Sequence, residues 1–192
     1  MKGKRRSAGN RLFRWGLWIA ALFLLLGIGG NMLIHTMFPQ KYSGLVEKYA
    51  EKYEVDPALV YAVIKTESDF NPNAVSVNDA CGLMQMLPET LVWMQRKNPG
   101  ERAYVREDLF DPEISINYGT YFLDMLMEQF GNMEAAAAAY HAGPSAVRKW
   151  LKDPRYSVDG VHLDQIPYED TAYYVKKITY SYTIYHRILR VE

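Results

Sequence analysis

Cysteine is almost absent from this 192-residue chain: Cys81 is the only one. No intrachain disulfide can form, and no zinc cluster can be built from thiolates. Flanked by Ala80 and Gly82, Cys81 reads as a small buried apolar residue, since nothing marks His35, His141, His162 or His186 as its base partner. His162 in a polar loop and His186 near a helix end read as solvated. Net charge is absent too, with 22 basic residues against 22 acidic ones. The balance is uneven, because residues 1–14 hold Lys2, Lys4, Arg5, Arg6, Arg11 and Arg14 and no acid. The remainder is therefore net acidic, which excludes a nucleic-acid-binding role for the folded part. A persistent period-two strand pattern, internal repeats and low-complexity linkers are all missing, so the chain reads as all-α.

One long uncharged run is present. Trp15 to Ile34, WGLWIAALFLLLGIGGNMLI, would form a helix about 30 Å long, enough to cross a bilayer core. The basic residues before it predict a cytoplasmic N-terminus (1–14), a single-pass anchor (15–34), a juxtamembrane connector (35–44) and an extracytoplasmic domain (45–192). A cleaved signal peptide is the rival reading. The run is long for one, and no small-residue cleavage site follows it.

The folded part is organised around Asp56 to Leu87. Asp56 can cap a helix, and Pro57 suits its first position. Val60, Val63, Ile64 and Glu67 share one helical face, and Asn71-Pro72 ends the helix. Apolar surroundings and the negative end of the helix would both raise the pKa of Glu67. A carboxyl group kept protonated near neutral pH can act as a general acid. The alternative is an ordinary helix-end glutamate reaching water.

Helices are expected over Leu45–Tyr53, Pro88–Lys97, Asp111–Phe130, Met133–Tyr140, Pro144–Leu151 and a tyrosine-rich C-terminal stretch. Asn98–Asp108 and Asp153–Pro167 read as polar connections. Gly131 is the stop signal for the helix before it. Ala135 to Ala139 allow close helix packing. Tyr180, Tyr182 and Tyr185 read as packing residues on the last helix.

Four motifs occur in order: Glu67-Ser68, Gly82-Leu83-Met84-Gln85, Ala139-Tyr140-His141-Ala142-Gly143, and Pro167 to Val175 with Tyr174. Together they resemble the lytic transglycosylases, peptidoglycan-cleaving enzymes with a lysozyme-like helical domain, over roughly Leu45 to Leu189. The resemblance implies that Glu67 is catalytic and that Ser76, Met84, Gln85, Tyr140, His141 and Tyr174 bind substrate. Leu83 remains core. His141 replaces the family's asparagine, Asp170 its usual glutamate and Leu87 its frequent methionine. His141 has three open readings: sugar contact, pH-sensitive modulator of Glu67, or solvated helix-end residue.

The implied chemistry needs one carboxyl group and no metal or cofactor. Glu67 would protonate the glycosidic oxygen between N-acetylmuramic acid and N-acetylglucosamine, then take the C6 hydroxyl proton as a 1,6-anhydro ring closes. That makes a carbon–oxygen lyase. The expected partners are peptidoglycan glycan strands and, through the N-terminal helix, the membrane. A hydrolytic muramidase would need a second carboxylate, Asp69 or Asp79, to place water. An inactive wall-binding module is the alternative outside enzymes.

Overall fold

The computed structural model describes residues 6–97 and 103–191. Part of the expected basic N-terminus (residues 1–5) and of the polar connection (98–102) lies outside them. The chain divides into two compact units, Met1–Pro39 and Gln40–Glu192, with the boundary inside the expected connector.

The first unit holds one helix, α1 (Arg6–Met37), of 32 residues. Its stretch Trp18–Met37 is long and apolar enough to cross a membrane and has none of its residues buried. The helix continues three residues past the expected end of the span, because nothing after Ile34 breaks it before Pro39.

The second unit contains α2 (Ser43–Lys52), α3 (Pro57–Ser68), α4 (Pro88–Lys97), a 3₁₀ turn (Arg106–Phe110), α5 (Pro112–Phe130), α6 (Met133–Ala142), α7 (Pro144–Leu151) and α8 (Glu169–Val191). Among the described residues there are isolated β-bridges but no strands. Local rules account for many of the boundaries. Asp56 accepts a hydrogen bond from Ala58 N at 2.8 Å, Asp111 from Glu113 N at 2.8 Å and Asn132 from Ala135 N at 2.9 Å. Gly131, at φ 69°, ends α5 by donating to the Met127 carbonyl.

The core centres on α3. All seven residues from Ala58 to Ile64 are buried, so the helix is enclosed rather than amphipathic. It packs most extensively on α8, with α2 also against it, while α6 packs on α5 and α8. Ala135 to Ala139 are all buried and let α6 approach its neighbours closely. Tyr185 stacks on Tyr61 with ring centroids 5.1 Å apart. Two tyrosines depart from the expected packing role. Tyr182 donates to Asp56 Oδ2 at 2.9 Å, and Tyr180 is exposed. His186 is not simply solvated, since its Nδ1 lies 3.3 Å from the same carboxylate. The α3 cap therefore also ties α3 to α8.

Residues 71–87 form a compact loop held by bridges from Cys81 to Val75 and Met86. Cys81 is fully buried, as expected of a small apolar residue. Gly82, at φ 78°, lies so close to the Leu109 carbonyl that a Cβ would overlap it. Arg106 Nε donates to both carboxylate oxygens of Asp79, at 2.9 and 3.0 Å, tying the loop to the 3₁₀ turn.

Gly82 and Gly131 allow a controlled comparison, because a Cβ at Gly131 would meet open space. Gly131→Ala should cost about 1 kcal/mol, the strain of a left-handed alanine. Gly82→Ala should cost about 3 kcal/mol, because a steric clash adds to that strain. Urea unfolding of both variants measures the difference, and equal losses would show that the Leu109 carbonyl imposes no constraint.

Candidate active site

Glu67 occupies the last turn of α3, where the enclosed helix emerges at a cavity. The cavity is lined by Glu67, by Ser76, Asn78, Ala80, Gln85, Met86 and Leu87 of the loop, by Thr90 of α4, by Phe122 of α5, and by Tyr140 and His141 of α6. The Tyr174 hydroxyl donates to Glu67 Oε1 at 2.7 Å. Burial pushes the Glu67 pKa from 4.5 up to about 7, while the Tyr174 hydrogen bond and the charge of Lys177 pull it down without prevailing. Burial and the nearby Glu67 charge hold both Tyr140 and Tyr174 well above the usual tyrosine value, so both phenols remain neutral donors.

The wall around Glu67 is tied together through backbone carbonyls. Tyr140 donates to the Met84 carbonyl at 2.7 Å, and Ser68 Oγ donates to that of Leu83 at 2.8 Å. Met84 N donates to Ser115 Oγ at 3.1 Å. Ser115 is fully buried on α5, and no local sequence signal distinguished it from a helix-surface serine. Phe122, Thr90 and Asn78 were missed for a similar reason, since only packing turns them toward the cavity.

Ser76, Gln85, Tyr140 and His141 line the cavity. Ser76 Oγ also accepts hydrogen bonds from Asn78 N and Ala80 N, so it shapes the loop as well. Gln85, at φ 46°, donates both hydrogens of Nε2, to the Ala74 and Gly82 carbonyls. What it offers a ligand is the acceptor Oε1, narrower than the donor-and-acceptor role expected. Met84 does not line the cavity. Its side chain is fully buried against Gly119, where a Cβ would collide with it, and its backbone serves the site instead. Tyr174 is not on the cavity lining either; it is buried behind it, with its hydroxyl on Glu67 and its ring stacked on His141. Leu83 is fully buried.

Neither rival carboxylate lines the cavity. The Asp69 side chain is 73% exposed and pairs with Lys65, and Asp79 pairs with Arg106. Among the described residues, Glu67 is the one carboxyl group on the lining.

The family profile described as the Transglycosylase SLT domain matches residues 44–159. The chain belongs to this transglycosylase SLT family. It is 35% identical over 171 residues to the soluble lytic murein transglycosylase of Escherichia coli K12, covering 83% of this chain and 25% of that protein. To the membrane-bound lytic murein transglycosylase C of Serratia proteamaculans it is 36% identical over 132 residues, covering 63% of this chain and 36% of the relative. The solved 70 kDa soluble lytic transglycosylase of Escherichia coli superposes with a TM-score of 0.71 at 31% identity, covering 84% of this chain and 27% of that one. This SLT-family chain thus spans about a quarter to a third of the length of these relatives.

The buried Glu67 makes the stability of this SLT domain pH-dependent. Between pH 4.5 and about 7 the native state keeps a proton that the unfolded chain has lost. Stability is therefore highest below that window and falls as pH rises through it, by about 3 kcal/mol at roughly 1.4 kcal/mol per pH unit. Glu67→Gln keeps an acceptor for Tyr174 but cannot ionise, so it should lose this slope and be the more stable protein above pH 7. Parallel melting curves for variant and parent across the window would contradict the buried-acid assignment.

Proposed function

We propose that this chain is a membrane-anchored peptidoglycan lytic transglycosylase. It cleaves the β-1,4 bond between N-acetylmuramic acid and N-acetylglucosamine and leaves a 1,6-anhydro product. The observation that carries the reading is a single carboxyl group on the cavity, held by Tyr174, with a pKa of about 7. Such a group is divided between acid and base near neutral pH, which suits a residue that must first give a proton and then accept one.

Glu67 donates its proton to the glycosidic oxygen as the bond to the muramyl carbon breaks. The N-acetyl group of that sugar stabilises the cationic carbon. The Glu67 carboxylate then takes the proton of the C6 hydroxyl, whose oxygen closes the anhydro ring. Tyr174 supports both halves by donating to Glu67 while it is charged. Hydrolysis would call for a second carboxylate to place water, and the position of Asp69 and Asp79 off the cavity favours ring closure. Gln85 Oε1, the Ser76 hydroxyl and His141 supply polar contacts for the sugars, and Phe122 an apolar face.

The apolar helix α1, following a basic segment, supports a single-pass anchor with a cytoplasmic N-terminus. Gln40–Glu192 then works on the extracytoplasmic side, where peptidoglycan lies.

The test uses the full chain in detergent on purified peptidoglycan, with mass spectrometry of the released fragments. Muropeptides one water lighter than hydrolysis products should appear. Glu67→Gln should slow their release by about a thousand-fold, the scale of losing a general acid–base group. Products with free reducing ends would instead identify a muramidase, and binding without any cleavage a wall-binding module.

A further inference from the structure

Thr171 and Tyr174 lie three residues apart on α8 and so share one helix face. His141, at the end of α6, touches both. Its Nδ1 lies 3.1 Å from Thr171 Oγ1, and its ring stacks on that of Tyr174 with centroids 4.6 Å apart and planes 30° from parallel. Thr171 Oγ1 donates toward Asp170 Oδ1 at 3.4 Å, which leaves it to accept from a protonated His141 Nδ1. The imidazole is therefore anchored on one side and pressed against Tyr174 on the other. Tyr174 in turn donates to Glu67. His141 is one ring removed from the carboxyl group without having to touch it.

We propose that His141 is a positioning residue for Glu67 that acts through Tyr174: its charge sets how strongly the Tyr174 hydroxyl holds the Glu67 carboxylate. The inference rests on Glu67 being the acid–base group of the proposed reaction. Histidine is the side chain whose charge changes across the neutral range. An imidazolium over the phenol face is attracted by its π-system and draws electron density from it, which makes the hydroxyl a stronger donor. A stronger donor favours the ionised carboxylate.

Other titratable and charged groups face His141 from the elements packed around it. Glu67 faces it from α3 and Tyr140 adjoins it on α6, while α8 brings Asp170, Tyr174 and Lys177, the last through its charge on Glu67. From α5 comes the uncharged Phe122, against Tyr140, and from the loop the uncharged Ser76, Asn78 and Gln85. On α7, Arg148 turns to Ser145.

The experiment follows the Glu67 side-chain carboxyl by carbon-13 NMR in the full chain in detergent micelles, from about pH 5 to 9, a span that contains the histidine range. The signal is assigned by its loss in Glu67→Gln. Two replacements of His141 are compared: Asn, which removes ring and charge, and Phe, which keeps a stacking ring without charge. Both should raise the Glu67 midpoint by about one unit. The alkaline limb of the anhydro-product rate should move by the same amount. An unchanged Glu67 titration in both variants would overturn the proposal, even if activity fell. So would a Phe variant that titrates like the parent, because the ring and not its charge would then be what counts. A parent chain that releases no anhydro product but shows the shift would sink the transglycosylase reading and leave this coupling standing.

Discussion

Removing one carboxyl group from water is the constraint on which the site depends. Glu67 has its pKa raised to about 7 because α3 is enclosed up to its last turn, and that enclosure is made by α8 and α2. A hydroxyl from α8 then meets the carboxyl group at 2.7 Å and keeps its charged form accessible. These opposing influences leave the group able to move a proton in either direction. The pairing of α3 with α8 is fixed at its far end by a second carboxylate, Asp56, which caps one helix and accepts a hydroxyl from the other. Both ends of the pair are thus set by a tyrosine of α8 donating to an acid of α3 or its cap.

Much of the loop that completes the cavity contributes through its backbone. Met84 offers its carbonyl to Tyr140 and its N–H to Ser115, Leu83 its carbonyl to Ser68, and Gly82 and Ala74 theirs to Gln85. Gly82 is required where the chain passes the Leu109 carbonyl, and Gly119 where α5 receives the Met84 side chain. Several motif residues therefore hold the cavity wall through their backbone, as supports for the few side chains that face the cavity.

The electrostatic layout follows the same economy. Asp69 and Asp79 lie close to Glu67 in sequence, yet each is turned to a basic partner away from the lining. Glu67 keeps its raised pKa because burial, and not a charged neighbour, sets it, with the Tyr174 hydrogen bond opposing.

The sequence alone determined what is governed within a few residues: the Asp56-Pro57 and Asp111-Pro112 helix starts, the Gly131 stop, the apolar span of α1, and the placing of Glu67 at the end of an apolar helix. Capping, backbone φ and apolar period are local quantities and are written locally. It also carried the family, because four short motifs kept their order. Only the tertiary structure decided which motif side chains face the cavity. Met84 and Gln85 are neighbours with opposite fates, since a left-handed residue at position 85 turns the chain and Gly119 leaves space for the methionine alone. Tyr174 lies 107 residues from Glu67, Ser115 31 residues from Met84, and Thr171 30 residues from His141. No local pattern encodes such pairs. They form only when packed helices bring a donor within hydrogen-bonding reach of an acceptor that water has left.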